Sequence, residues 1–444
     1  MRFRTGLICV AILLNSTLPE AVCGEFSPPL PAPPVPAAVD DVAPSDEGSE
    51  SPIVEPDAAS EESSSISAEI YGSLWGSMSY ATSRTSPGEF TLWVFPEDVQ
   101  GEPAWNIDAR RSRLGVNVVG PDLKLLNGLE TAGQLEFDFF GQFITENRAG
   151  ARLRQAWWEA RNSDYRFLIG QTWDVISPRA PGTLNFSVGW NGGNIGFRRA
   201  QVRLERFLHM NQCSQVILQG SLNQDIVADF PTEPGIRRET AGWPVAQGRL
   251  AFLREESGTC LPDLEFGLSG HFGETGFDFL TPGPPPLNLP PADDVRVRTW
   301  SWNLDARLVW ERFSLQGEFF QGSNLSAFLG GIGQGVCPCV RRPIDSMGGW
   351  FEAVYDWNEC WQTHVGFGID DPDDRDSLLG RTLNRFLFGN LIWQISDGLR
   401  TGMEVTWWTT ESHETRIGQV DPALLTSDIP GRSLVVEWML RYDF

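Results

Sequence analysis

Of the 34 basic residues in this 444-residue chain, only Lys124 is a lysine; the others are arginines. Arginine keeps its charge whatever the local dielectric and offers a planar fork of donors. Arg111 and Arg113, then Arg199 and Arg203, recur at even spacing, and Arg154 follows Arg152 in the same way. Glu136 with Asp138, and later Glu205, repeat the pattern with the opposite sign. Residues two apart share one face of a strand. Such positions make ladders of fixed charge, and opposed ladders set up a field across a narrow water path that sorts solutes by charge and size. The plainer chemistry is pairing, in which the same charges stiffen a wall.

Other residue types offer less. His209, His271, His364 and His413 are scattered and lack metal-ligand spacing. No Gly-x-Ser-x-Gly elbow is present, and no histidine–carboxylate pair stands out, so no enzyme is expected. Gly331 to Gly335 lacks the strand–helix frame of a phosphate cradle. The acidic run Asp370 to Asp374 reads as a solvated outer loop before a calcium cage. Cys337-Pro338-Cys339 matches neither a CxxC redox motif nor a four-ligand zinc site. Neither cofactor nor metal is expected. Cys213 and Cys260 fall in short turns on one rim, so a disulfide between them is open; Cys360 is then expected to be unpaired.

The elements that carry these residues alternate with period two. Leu135, Phe137 and Phe139 oppose Gln134, Glu136 and Asp138, and Val202 and Leu204 oppose Arg203 and Glu205. Leu264, Phe266 and Leu268 oppose Glu265 and Ser269 in the same way. Short turn-like joints recur near positions 125, 163, 211, 258, 311, 359 and 397, with longer Gly- and Pro-rich connections between them. Seven short turns plus a leading and a closing strand predict 16 strands.

The ends differ. Residues 1–23 read as a secretory signal, with Arg2 and Arg4 before the apolar run Leu7–Leu14; lipidation at Cys23 is the alternative to cleavage before Gly24. Residues 24–67 form a Pro/Ser-rich acidic tail, and residues 25–67 hold ten acids and no basic residue. Such a segment cannot bury enough apolar surface to offset chain entropy and is expected to be a disordered periplasmic spacer. Residues 68–444 are the folded body.

Composition narrows the class. A formal charge of −24 argues against nucleic-acid binding. No series of long apolar runs supports a helical membrane protein. Eighteen Trp and 27 Phe exclude full disorder. A secreted sandwich or propeller would also alternate. Against that stand a strongly charged face opposite an aromatic one, and Trp clustered near strand ends, where a bilayer interface suits indoles. The chain also stops on the alternating strand Leu434–Phe444. The expected fold is therefore all-β, a 16-stranded antiparallel transmembrane β-barrel with short periplasmic turns and long extracellular loops.

The ordered motifs resemble the bacterial outer-membrane porins, and among them the DcaP-like trimeric porins. They are Arg111–Gly115, Gly133–Phe139, Arg152–Trp157, Gly170–Trp173, Gln201–Arg203, Gly317–Gly322, Gly368–Pro372, Asn384 with Asn390 and Trp393, and Glu404. The acidic tail departs from the helical extension of some relatives, and several loops have their own sequences. The resemblance implies a homotrimer in a lipid bilayer with lipopolysaccharide, folded by the barrel assembly machinery. It implies passive diffusion of small hydrophilic solutes; together with the arginines it points to small acidic solutes such as dicarboxylates. The expected pore-lining set is Arg111, Arg113, Arg154, Arg199 and Arg203, with Glu136, Asp138, Glu205, Glu265 and Glu318. The loop Asp174–Gly196 would narrow the barrel as the corresponding loop of general porins does, with Asp174 and Arg179 at the constriction; a solvent loop or trimer contact is the alternative. Trp438, Leu440, Tyr442 and Phe444 resemble a terminal assembly signal. Other readings are a plugged structural or adhesion barrel, and a secreted β-rich binding protein.

Overall fold

Alternation builds the wall. In the segment Arg381–Ser396, Thr382, Asn384, Phe386, Phe388, Asn390 and Gln394 are buried, while Leu387 and Leu391 between them are exposed. A pleated strand does this by sending successive side chains to opposite sides. The computed structural model describes residues 66–97, 102–125, 128–141, 149–227, 235–255, 263–284, 287–378, 380–413 and 428–444. The expected signal at 1–23, nearly all of the tail at 24–67, and Cys260 lie outside these residues.

Sixteen strand positions close into one antiparallel barrel. The first four are β1 (Ser67–Ala81), β2 (Ala104–Asp108 continued by Arg113–Leu123), β3 (Leu129–Asp138) and β4 (Arg152–Arg161). Next come β5 (Tyr165–Trp173), β6 (Arg198–Asn211), β7 (Ser214–Asn223) and β8 (Ile236–Thr240 continued by Val245–Arg254). Then follow β9 (Asp263–Phe279), β10 (Ala292–Trp310), β11 (Phe313–Ser323) and β12 (Asp345–Asp356). The last are β13 (Trp361–Pro372), β14 (Arg381–Ser396), β15 (Leu399–His413) and β16 (Asp428–Asp443). Both pieces of β2 pair with β1, and both pieces of β8 pair with β9, so each counts once in the wall. Closure is made by β1 against β16, from Ser73 opposite Asp443 to Ala81 opposite Val435. A closed barrel leaves no strand edge unpaired.

Short turns join the strands on one rim, which also holds the C-terminus: Phe444 exchanges backbone hydrogen bonds with Gly72, at 2.9 and 3.1 Å. Cys360 lies in one of these turns and is disulfide-bonded, contrary to the expected free thiol; Cys213, in another, is disulfide-bonded too. Long connections crowd the other rim. Several strands run on into the long-loop side: β8 begins at Ile236, and β13 reaches Pro372. The acidic run therefore starts inside the wall. Asp370 is buried, accepting from the Ser346 hydroxyl at 2.7 Å and the Ile332 N–H at 3.1 Å, and only the later residues form an outer loop.

Outward faces are apolar. Leu114, Leu135, Leu153, Ile169, Val202, Leu204, Leu250, Phe266, Leu268 and Phe319 are all exposed. A soluble protein rarely leaves such a continuous apolar band, whereas lipid matches it. The interior is not uniformly polar. On the long-loop side Phe386, Phe388 and Trp408 point inward and pack with Ala81, Val94 and Val435. A second inner cluster joins Ile176 and Ile195 to Phe320, Leu325 and Phe328. These apolar residues face inward because incoming loops cover them.

Candidate functional site

The loop after β5 runs inside the barrel. It is secured first at its ends: Arg199 Nε lies 2.7 Å from an Asp174 carboxylate oxygen, and the Phe197 N–H donates to Asp174 at 2.9 Å. Gln247 of β8 donates to the same carboxylate at 2.7 Å. Asp174 is thus a fully paired anchor at the start of the loop.

Further along, the loop lacks regular structure, so its N–H groups need partners from the wall. Three carboxylates supply them. Glu318 of β11 accepts from the Arg179 N–H at 2.7 Å, and Glu352 of β12 accepts from the Gly182 N–H at 2.8 Å. Glu404 of β15 accepts from the Leu184 N–H at 2.7 Å and from the Thr183 hydroxyl at 2.6 Å. Asn390 and Asn384 of β14 donate to the carbonyls of Gly182 and Asn191, at 2.8 and 2.6 Å. Arg111 donates to the Leu184 carbonyl and pairs with Glu437 at 3.1 Å. Close approach needs glycine. Gly193 has φ +122°, and a Cβ there would stand 2.1 Å from the Gly349 carbonyl oxygen.

These contacts hold the loop along the wall from β11 to β16. On the opposite wall, the β2–β4 side meets the loop through Phe186, which stacks on Phe140 at 4.0 Å and lies beside the Arg111 and Arg152 guanidinium groups. All ten expected pore positions project to the inner side. Arg154 bonds Glu136 at 2.6 Å and Asp138 at 3.0 Å, and Arg152 also holds Asp138. Arg203 reaches Glu205 at 3.4 Å, and Arg166 reaches the same carboxylate at 3.5 Å. Glu265 is shared by Arg249, at 2.7 Å, and Arg179. Arg113 stands apart. It is opposite Asp138 in the ladder, but Asp138 is already taken, and Arg113 has no ion pair or hydrogen bond among the described residues. The structure thus separates paired charges from a guanidinium without a side-chain ion pair or hydrogen bond among the described residues. Arg179 lies on the inner loop but is neutralised by its carboxylate partners.

Some residues were missed. Glu352 and Glu404 sit singly among apolar neighbours, as Phe351-Glu352-Ala353 and Val405 after Glu404, and that isolation is a readable signal. A histidine–carboxylate pair does exist: His364 Nδ1 meets Glu352, and Nε2 lies 2.8 Å from Gln362 Oε1. Both ring nitrogens are occupied, so the pair braces the wall beneath Gly182. Among the described residues no group of three or more His, Cys, Asp or Glu side chains is arranged to hold a metal ion. On the long-loop rim, Cys337 and Cys339 are free and buried. A hydrogen bond with Cys339, then backbone N–H groups, draw the Cys337 thiol below the usual range, and Cys339 is pushed up in turn.

Compared by sequence, neither a family model nor a curated protein matches the chain. Compared by structure, it superimposes on the outer membrane channel DcaP of Acinetobacter baumannii with a TM-score of 0.66 and 15% identity, over 85% of this chain and 97% of that one. The fold is that of a porin. A second porin, described as anion-selective and from Comamonas acidovorans, aligns with a TM-score of 0.54 and 12% identity, over 86% of this chain and all (100%) of that one. The likeness covers 85–86% of this chain. At these identities it speaks for architecture, and the roles of individual side chains rest on the geometry above.

Proposed function

We propose that the chain is an outer-membrane porin, a water-filled channel for passive diffusion of small hydrophilic solutes, with a preference for small acidic ones such as dicarboxylates. One observation carries this. The inner loop is clasped by Glu318, Glu352 and Glu404, and the β2 wall bears Arg113, whose side chain has no ion pair or hydrogen bond among the described residues. A narrow path with the clasped loop on one side and a guanidinium without a side-chain partner on the other has a transverse field. Arg111, Arg154, Arg199 and Arg203 with Glu136, Asp138, Glu205 and Glu265 shape that field mainly through their pairs. Asp174 and Arg179 position the constriction loop. The shared fold of an anion-selective porin supports the same sign of preference.

This reading extends to the whole polypeptide: a signal at 1–23, an acidic periplasmic tail at 24–67, and a homotrimeric barrel in a bilayer carrying lipopolysaccharide. Assembly would be directed by Trp438, Leu440, Tyr442 and Phe444. The test is reversal potential in planar bilayers under a potassium chloride gradient. A potential on the chloride side supports the proposal; one on the potassium side contradicts the anion preference. A second reading, a plugged barrel, draws on the apolar clusters that loops form inside the long-loop mouth. Folded protein that inserts without conductance would favour it.

A further inference from the structure

The long-loop mouth encloses a cavity of about 810 Å³. That is the scale of sites for drug-sized molecules, well beyond what a small dicarboxylate fills. Its wall is aromatic, with Phe90, Trp93, Trp190, Phe277 and Phe279 among the residues that line it. The charges on that wall are all of one sign. Arg152, Arg238 and Arg381 line the cavity, and among the described residues no Asp or Glu does, although the chain as a whole carries −24.

Arg238 decides what such a space accepts. It is only 7% exposed, and its Nε and Nη1 have no hydrogen-bond partner among the described residues. Asp225, the acid of the neighbouring loop, attracts it without closing an ion pair; one Asp225 oxygen is taken by the Thr275 hydroxyl at 2.7 Å. A buried guanidinium with orphaned donors is costly unless an anion reaches it. The other two cations are already engaged: Arg152 on Asp138, and Arg381 over the Trp93 ring at 4.2 Å with its Nε donating to the Ile332 carbonyl. Arg341 adds a further guanidinium over Phe279 at 4.6 Å.

We infer that this cavity is a binding site for amphiphilic anions, molecules with one acidic head and a bulky apolar or aromatic body, whose head meets Arg238 and whose body lies against the aromatic wall. The site lies on the long-loop side, where Phe186, Trp190 and Asn191 of the inner loop form part of its lining. It rests on the porin reading only for its access from the outer face.

The experiment uses the full chain in nanodiscs and 2-naphthalenesulfonate as the probe, with binding measured by equilibrium dialysis against empty discs. Saturable binding of the sulfonate, much tighter than that of the 2-naphthyltrimethylammonium cation, is expected. Arg238→Gln should weaken it about tenfold or more, the scale for losing a charge-assisted hydrogen bond. Arg238→Lys, which keeps the charge, should retain most of it and guards against a misfolded Gln variant. Equal binding of anion and cation, or sulfonate binding indifferent to Arg238→Gln, would overturn the inference. Bilayer currents run in parallel separate the two claims: binding without conductance keeps the site and removes the channel, whereas conductance without binding does the reverse.

Discussion

At the scale of single residues, what matters is whether a charge is spent. Arg154, Arg199 and Arg203 are held by carboxylates at 2.6–3.4 Å, so their substitution should act first on the wall. Arg113 is unspent. Arg113→Gln is expected to lower the chloride-to-potassium permeability ratio by a few-fold, the effect of losing one water-screened charge worth roughly 1 kcal/mol; reversal potentials measure it. Cys337 offers a residue-level test of the outer rim. Its thiol is drawn down by the hydrogen bond from Cys339 and by backbone amides, so the thiolate persists to lower pH than in a free cysteine. Losing the donor in Cys339→Ala should move the pH midpoint of its reaction with a small methanethiosulfonate upward. Cys339→Ser, which keeps a donor, should move it less. The charged ladders themselves were legible in the sequence, because even spacing alone puts Glu136 with Asp138, and Arg199 with Arg203, on one face. Which of them would remain unpaired was not, because that depends on Arg152 and Arg154 both reaching Asp138 across the β3–β4 ladder.

At the scale of elements, the decisive unit is the inner loop with its three carboxylate clasps. Glu404→Ala removes the acceptor for the Leu184 N–H and the Thr183 hydroxyl together. Each buried donor left without a partner costs about 1–3 kcal/mol, so the loop tip should loosen while the barrel stays closed. Single-channel records should then show a larger and noisier open current. Gly193→Ala should act from the other end of the loop. With φ at +122° and the Gly349 carbonyl in the way, strain of roughly 1–3 kcal/mol is expected there, read as a lower unfolding temperature by circular dichroism. The sequence made the loop visible as a Pro- and Gly-rich break after Trp173, and its inward course came from the porin resemblance. Its clasps were hidden because they pair positions more than 130 apart, as with Arg179 and Glu318. The His364–Glu352 pair was hidden for a related reason. The two residues are diagonal neighbours across the β12–β13 hairpin, and only the register that sets His364 against Val354 reveals it.

At the scale of the whole molecule, the count of sixteen strands followed from seven short turns and a period of two, since side-chain alternation is a local property. The breaks within β2 and β8 were not equally readable. Trp243-Pro244 marks the second, because proline removes a ladder donor; nothing comparable marks residues 109–112. Inward Phe386, Phe388 and Trp408 were beyond a polar-in, apolar-out rule, because their burial depends on loops folding back over them. Closure predicts one further effect. Phe444 exchanges two backbone hydrogen bonds with Gly72, one donated each way, and its ring packs over that glycine. Deleting Phe444 should reduce the heat-modifiable, folded fraction recovered from outer membranes several-fold, measured on semi-native gels. All of this depends on water filling the tube while lipid surrounds it, and conductance reports both together. Purified folded protein added to a planar bilayer is predicted to produce stepwise, long-lived current increments with a reversal potential on the chloride side. Bilayers that stay silent while gel mobility shows the barrel folded and inserted would contradict the account.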